Sequence, residues 1–151
     1  MLVLSTPLAG GAVTTLASTK MADGDQDITL SMGVDESNVY FIDDGAIVSV
    51  PLTGGGVETT IASSPQILGS FAFDGENFYW PASSGSDGST GIVAKVAKSG
   101  GAVTTVFSVA DAQMNACAVD GTSVYAFYTV SGLVPTGDPN MPAGLVMITP
   151  K

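Results

Sequence analysis

A short segment built around two adjacent glycines occurs three times in this chain and constrains its fold more than any other feature. The copies read PLAGGAVTTLAS from residue 7, PLTGGGVETTIAS from residue 51 and AKSGGAVTTVFS from residue 97. Each copy overlaps the end of an apolar run: MLVLSTPL at residue 1, GAIVSVPL at 45 and GIVAKVAK at 91. A glycine-containing turn between two apolar runs is typical of a β-hairpin. The chain is therefore predicted to repeat one unit of paired strands.

A second motif lies upstream of three apolar runs, GAIVSVPL at 45, GIVAKVAK at 91 and GLVMITPK at 144. It reads VDESNVYF at residue 34, FDGENFYW at 73 and VDGTSVYA at 119. The aspartates are interpreted as turn formers, because an Asp side chain can accept hydrogen bonds from nearby backbone N–H groups. The predicted unit is then a strand, an Asp turn, a strand containing Tyr, a loop, a strand, a Gly-Gly turn and a last strand. The paired residues are Asp35 and Tyr40, Asp74 and Tyr79, and Asp120 and Tyr125.

Four short strands repeating at a period of about 45 residues are typical of the blades of a β-propeller. The composition agrees with an all-β chain, since its 19 glycines and 8 prolines favour turns over helices. We predict a partial β-propeller of about three four-stranded antiparallel blades, half of a six-bladed ring. Residues 1–18 supply the last two strands of a first blade, 28–63 and 67–108 two complete blades, and 113–151 the first three strands of a last blade.

These repeats resemble those of a known family. The triplets VYF, FYW and VYA, each followed by an apolar strand, and the glycine segment are similar to the VYW-type repeats of bacterial secreted or cell-envelope β-propellers, which are akin to six-bladed YWTD and NHL propellers. The resemblance implies the propeller fold and a secreted or envelope location. It implies no particular activity, because one fold hosts many functions. Of the three motifs, only Tyr79–Trp80 keeps the Tyr-Trp pair.

The first residues could be mistaken for a signal peptide. MLVLSTPLAGGAVTTLAS lacks a positively charged start and matches residues 45–63 almost position for position. We interpret it as part of a blade and expect any export signal to lie upstream. Three blade equivalents do not close a ring of the usual four to eight. The missing blades are expected from the rest of a longer chain or from a homodimer.

The negative charge of the chain excludes some classes of binding partner. The chain has 14 acidic residues against four lysines, no arginine and a net charge of −10. Such a surface cannot form the cationic footprint that nucleic acid requires, and anionic membranes would repel it. No apolar run approaches the roughly 20 residues of a membrane-spanning helix, so membrane insertion is not expected either. The absence of histidine excludes Ser-His and Cys-His nucleophile pairs, and the chain is predicted not to be an enzyme.

Alignment of the units also interprets the single cysteine. Cys117 takes the place of Met32 and Phe71, three positions before the turn aspartate, on what is predicted to be the bulky, packed face of the first strand. We therefore interpret it as a buried apolar thiol rather than a nucleophile. Val34, Phe73 and Val119 lie on the same predicted face.

Loop lengths point to a binding surface. The Asp turns and Gly-Gly turns are nearly invariant in length, whereas the connection from the tyrosine to the next strand grows from unit to unit. These growing loops emerge on one side of the predicted sheets together with the crossover at 19–27, and we call this side the variable rim. Loops on a rigid scaffold often carry recognition. The candidate binding residues are Asp23, Asp25, Asp27, Asp44, Trp80, Asp87, Asp138 and Asn140. For Trp80 and the repeated tyrosines, packing between blades is the preferred interpretation over a sugar or peptide site.

The crossover also contains a candidate metal site. Asp23, Asp25 and Asp27 alternate along the chain and could direct their carboxylates at one Ca²⁺. The segment lacks the glycine and the distant glutamate of an EF-hand loop, and no other unit repeats it. A solvated acidic loop is therefore preferred, and no cofactor is predicted apart from this Ca²⁺ alternative.

Three functions fit the sequence. The preferred one is a non-catalytic binding or scaffolding module that presents the acidic variable rim to a protein or glycan. The second is a structural protein of the cell envelope that self-assembles. The third is a metal-dependent propeller hydrolase or lactonase, for which Asn115 is the one clear candidate ligand in the predicted inner strands.

Overall fold

The computed structural model describes residues 2–18, 31–63, 70–84, 88–130 and 145–150. Across these ranges the chain forms thirteen β-strands and no helix, which confirms the all-β prediction. No helix in the described part is long and apolar enough to cross a membrane.

The strands form four antiparallel sheets, and the order of strands within each sheet follows the chain. Sheet 1 contains β1 (Leu2–Ser5) and β2 (Thr14–Ser18). Sheet 2 contains β3 (Met32–Val34), β4 (Asn38–Asp43), β5 (Ala46–Pro51) and β6 (Thr59–Ser63). Sheet 3 contains β7 (Ala72–Phe73), β8 (Asn77–Ser84), β9 (Thr90–Ala97) and β10 (Thr104–Ala110). Sheet 4 contains β11 (Ala112–Val119), β12 (Ser123–Val130) and β13 (Leu145–Pro150).

Consecutive sheets pack against each other, and a hydrophobic cluster lies between each pair. Because successive side chains of a strand point to opposite faces, Val39 packs toward sheet 1 while Tyr40 packs toward sheet 3. In the same way Phe78 faces sheet 2 and Tyr79 faces sheet 4. Strands β4, β5, β8 and β9 are therefore buried on both faces, which explains their nearly continuous apolar sequences.

The first glycine of each Gly-Gly turn has the same conformation in all three repeats. The amide of the first glycine donates to the carbonyl three residues earlier, at 2.9 Å for Gly10, 3.2 Å for Gly54 and 2.9 Å for Gly100. Their φ angles are 82°, 74° and 82°, in the left-handed region that favours glycine. This shared geometry explains why the first glycine of the pair recurs.

A glycine stands at the start of the third strand of each complete unit, but the structural reason for it differs between sheets 2 and 3. Gly45 follows Asp44 in the β4–β5 turn, and both have positive φ, 68° and 46°, as a two-residue hairpin requires. Gly91 is instead pressed against sheet 4. A Cβ atom there would lie 2.8 Å from the carbonyl oxygen of Ala112 and 3.0 Å from Met114 Cγ.

We expect Gly91→Ala to lower the free energy of unfolding by about 1–2 kcal/mol, because the contact is with backbone and the sheets would have to separate. Gly75→Ala is the matched control, since a Cβ atom at Gly75 meets nothing within 4 Å. Urea unfolding followed by circular dichroism measures both. Equal stability of the two variants would contradict the tight packing of sheets 3 and 4 at Gly91.

The prediction that Met32 and Val34 are packed was wrong. Their side chains are 71% and 59% exposed. The hydrophobic cluster between sheets 1 and 2 contains residues of β1, β2, β4 and β5 but none of β3. The two strands of sheet 1 therefore do not cover the face of β3 that carries Met32 and Val34. The equivalent Phe73 packs against the cluster between sheets 2 and 3.

Candidate functional site

Each Asp turn is built around one carboxylate with two tasks. In sheet 2, Asp35 Oδ1 accepts hydrogen bonds from the backbone amides of Ser37 and Asn38, both at 3.0 Å. Asp35 Oδ2 accepts the hydroxyl hydrogen of Tyr40 at 2.7 Å. The side chain thus fixes the turn and also holds the tyrosine ring that packs between the sheets.

The same arrangement recurs in sheets 3 and 4. Asp74 accepts from the amides of Glu76 and Asn77 at 2.7 and 2.8 Å and from the Tyr79 hydroxyl at 3.0 Å. Asp120 accepts from the amides of Thr122 and Ser123 and from the Tyr125 hydroxyl, all at 2.7 Å. The turn-forming role predicted for the aspartates is confirmed. We call the side of the molecule that carries these turns, residues 35–37, 74–76 and 120–122, the Asp-turn edge.

A lysine joins two sheets at this edge. Lys98 lies in the β9–β10 turn of sheet 3, and its Nζ reaches Asp35 Oδ2 of sheet 2 at 2.7 Å. The ammonium lies 4.6 Å from the ring centre of Phe73, 5.0 Å from Tyr40 and 5.8 Å from Phe78. Its side chain is only 17% exposed, so the attraction to the rings acts with little competition from water. Within the described ranges this is the one ion pair.

The hydrogen bonds shift the acidity of both partners. Burial raises the pKa of Asp35, but the bonds from Lys98, Ser37, Tyr40 and Asn38 outweigh it and hold that pKa well below the usual range. Burial, and then the bond to Asp74, raise the pKa of Tyr79 to about 12. Asp35 therefore stays ionised and Tyr79 stays protonated at neutral pH.

The depressed pKa of Asp35 predicts a pH dependence of stability. A carboxylate whose pKa is lowered by folding stabilises the folded protein above its unfolded pKa, near 4, and this contribution is lost as the pH falls toward the folded value. We expect the stability difference between wild type and Asp35→Asn to be constant near pH 7 and to shrink below about pH 4. Urea titrations from pH 7 to pH 3 measure it, with Asp44→Asn as the control for loss of one charge. A difference that does not change with pH would contradict the assignment.

Two crevices open at the Asp-turn edge. The larger, of about 760 Å³, lies between sheets 3 and 4 and includes Asp74, Tyr79, Lys95 and Asp120 in its lining. The smaller, of about 390 Å³, lies between sheets 2 and 3, where Lys98 already occupies the floor beside Asp35. Both crevices are bordered by more carboxylates than ammonium groups, so they attract cations.

The candidate binding residues of the variable rim fall into two groups. Asp44 is exposed in the β4–β5 turn, on the side of sheet 2 opposite the Asp-turn edge. Trp80 is 1% exposed and packs between sheets 2 and 3, so its ring offers no surface to a ligand in this structure. The remaining candidates, which include the alternating aspartates of the calcium hypothesis, lie outside the described residues: Asp23, Asp25, Asp27, Asp87, Asp138 and Asn140.

The structure also describes the surroundings of Cys117 and Asn115, the two other residues that the sequence analysis considered. Cys117 packs against the cluster between sheets 3 and 4, its thiol lies 3.4 Å from the carbonyl oxygen of Tyr79, and burial raises its pKa to about 12. Asn115 is exposed, and its side-chain amide donates to the carbonyl of Gln113 and to the Thr129 hydroxyl. Among the described residues no three acidic or cysteine side chains are grouped as metal ligands.

No family model matches this chain, and no curated protein does either. The site is therefore characterised by its own geometry.

Sequence reasoning missed the role of Lys98. A signal was present, because this lysine stands where the other two glycine segments have Leu8 and Leu52. A charge in place of an apolar residue at one repeat position indicates a partner that the other repeats lack. Its partner Asp35 lies 63 residues away, however, and only the packing of the sheets brings the two together.

Proposed function

We propose that this chain is part of a β-propeller and acts as a non-catalytic binding or scaffolding module. The observation that supports the proposal most is that sheets 2 and 3 are four-stranded meanders whose two middle strands are covered on both faces by the neighbouring sheets in chain order. Such stacking of consecutive meanders is how propeller blades bury their faces. By its resemblance to VYW-type propellers the protein would be secreted or attached to the cell envelope.

The proposed ligand surface is the variable rim, and the proposed partner is a protein or a glycan. The rim connections differ in length on sheets of similar construction: the β4–β5 turn is the pair Asp44–Gly45, whereas residues 131–144 separate β12 from β13. Length variation concentrated on one side of the sheets is typical of recognition loops, because it leaves the strands unchanged. Neither a cofactor nor nucleic acid is part of the proposal.

Replacing the β12–β13 loop tests this surface. We would substitute residues 131–144 by an Asp-Gly turn, the pair found between β4 and β5, and screen both proteins on a glycan array and against candidate protein partners. Binding that disappears in the shortened variant, with an unchanged circular dichroism spectrum, would support the rim. The control is Val57→Ser in the β5–β6 turn, on the opposite side. Binding lost in the control and retained in the shortened variant would refute the assignment of the rim.

A second candidate function, assembly, is favoured by one specific observation. Apolar side chains are exposed on the outer face of sheet 1 and on the neighbouring β3: Leu2 60%, Leu4 52%, Met32 71% and Val34 59%. Further blades, from the rest of a longer chain or from a second copy, would cover them.

Light scattering tests assembly through a second copy. It should give a mass above that of one chain, and the double substitution Met32→Lys with Val34→Lys should reduce that mass. Val57→Lys, which changes a turn residue that is even more exposed, should have no effect. A monomeric wild type would oppose assembly through a second copy.

A further inference from the structure

One contact between neighbouring sheets recurs inside the molecule. Between sheets 2 and 3, the ring centre of Tyr40 lies 5.4 Å from that of Phe73, the residue directly before the Asp turn. Between sheets 3 and 4, Tyr79 and Val119 belong to one hydrophobic cluster, and Val119 again directly precedes the Asp turn. The Asp-turn tyrosine of one sheet therefore packs toward the same repeat position of the next sheet.

The third tyrosine of this series lies on the outer face of sheet 4. Because Val124 and Ala126 face sheet 3, Tyr125 and Phe127 lie on the opposite face of β12, which we call the head face. Phe127 is 44% exposed, although its repeat equivalent in sheet 2, Ile42, is 6% exposed and packs toward sheet 3. The head face thus has the composition of a face that the internal sheets bury.

The matching repeat position is exposed at the other end of the stack. Met32 and Val34 of β3, which we call the tail face, are the equivalents of Phe71 and Phe73. In sheet 3 these two phenylalanines pack against the cluster that contains Tyr40, whereas the tail face is exposed to solvent. The head face and the tail face are therefore the two halves of the internal contact.

The strands of the two outer sheets are complementary as well. Sheets 2 and 3 have four strands, whereas among the described residues sheet 4 has the first three strands of the repeat and sheet 1 has the last two. The sequence of β2 is TTLAS, and the fourth strands β6 and β10 read TTIAS and begin with TTVFS. Sheet 1 thus contains the kind of strand that sheet 4 lacks.

We infer that sheet 4 of one copy docks on the tail face of a second copy, where its β13 replaces β1 and pairs with β2. The four strands β11, β12, β13 and the second copy's β2 then form a joint sheet, and the head face covers Met32 and Val34. The inference rests on the proposed propeller function and its assembly alternative. Each copy would contribute three complete sheets and two copies six, which is within the usual size of a closed ring.

Only one third strand fits into the joint sheet, because β1 and β13 hold the same repeat position. β13 forms six residue pairs with β12 in an unbroken register. β1 forms four pairs with β2, and its register shifts between Val3 and Leu4. Displacing β1 therefore breaks fewer backbone hydrogen bonds than displacing β13, and new pairs between β13 and β2 replace them.

Cross-linking tests the contact in a Cys117→Ala background, which leaves one thiol in each variant. Val34→Cys marks the tail face and Phe127→Cys marks the head face. Each variant is refolded from urea alone and in a mixture with the other, in about 0.5 M NaCl, because the net charge of −10 on each copy opposes association. The probe is a short bismaleimide. We expect covalent dimers from the mixture and none from either variant alone, since the contact joins unlike faces.

Light scattering on the wild type separates this contact from assembly in general. A mass of two chains, together with cross-links in the mixture, supports docking of the head face on the tail face. A mass above one chain without those cross-links, or with equal cross-linking of one variant alone, leaves assembly standing but overturns this contact. A monomeric wild type overturns both, whereas the variable rim is tested separately by its loop replacement.

Val3→Asp tests the displacement of β1. Val3 is 7% exposed and belongs to the cluster between sheets 1 and 2, so a charge there is unfavourable only while β1 is in place. The dissociation constant of the dimer should fall by about tenfold or more. Leu4→Asp, at a side chain 52% exposed on the same strand, is the matched control and should change it little. Weaker association of Val3→Asp would show that β1 stays in the interface and would overturn the strand replacement.

Discussion

Replacing Trp80 with alanine is expected to lower the free energy of unfolding by about 3–5 kcal/mol. Trp80 is 1% exposed and belongs to the cluster that holds sheets 2 and 3 together. Truncation would leave a large cavity between two rigid sheets, which cannot close it without moving strands. Because Trp80 is the only tryptophan, unfolding should be followed by circular dichroism rather than by its fluorescence.

Two controls make this prediction specific. Trp80→Phe keeps a ring in the cluster and removes the indole Nε1, which is buried with no hydrogen-bond partner among the described residues. It should therefore lose clearly less stability than the alanine variant. Phe127→Ala, at a side chain 44% exposed on sheet 4, should cost about 1 kcal/mol or less. A loss as small for Trp80→Ala as for Phe127→Ala would show that sheets 2 and 3 do not pack as described.

The second large effect is expected for Asp35→Ala, at about 2–3 kcal/mol. The substitution leaves the Tyr40 hydroxyl, two turn amides and the Lys98 ammonium without their acceptor. The ammonium is the costly group, because its side chain is 17% exposed and cannot be fully hydrated. Chemical unfolding at pH 7 measures the loss.

A double-mutant cycle separates the ion pair from the turn. In Lys98→Met the alkyl stem and its packing are largely kept, so adding this change to Asp35→Ala should recover part of the lost stability. Asp120→Ala is the matched control: it removes an equivalent carboxylate, with the same bonds to two amides and a tyrosine, but with no lysine bound among the described residues. It should lose less than Asp35→Ala. Additive effects of Asp35→Ala and Lys98→Met would mean that the pair is not coupled.

The sequence by itself determined the strands and the turns. The Gly-Gly turns and the Asp turns depend on hydrogen bonds between residues at most three apart, so spacing along the chain specifies them. The all-β class of the described residues follows for the same reason, since strands joined by such turns occupy most of these ranges. The five-residue spacing of Asp35 and Tyr40 was visible too, although the bond between their side chains was not anticipated.

Only the tertiary structure decided what lies on the two faces of each sheet. Gly45 and Gly91 occupy the same repeat position, yet one serves a turn and the other a contact with Ala112 of the next sheet. Met32 is exposed, although its position in the repeat matches that of the partly buried Phe71, because no strand of sheet 1 covers β3. Lys98 finds Asp35 across 63 residues. The alternation of side chains along a strand determines which residues share a face. What covers that face is the neighbouring sheet, whose residues are distant in sequence.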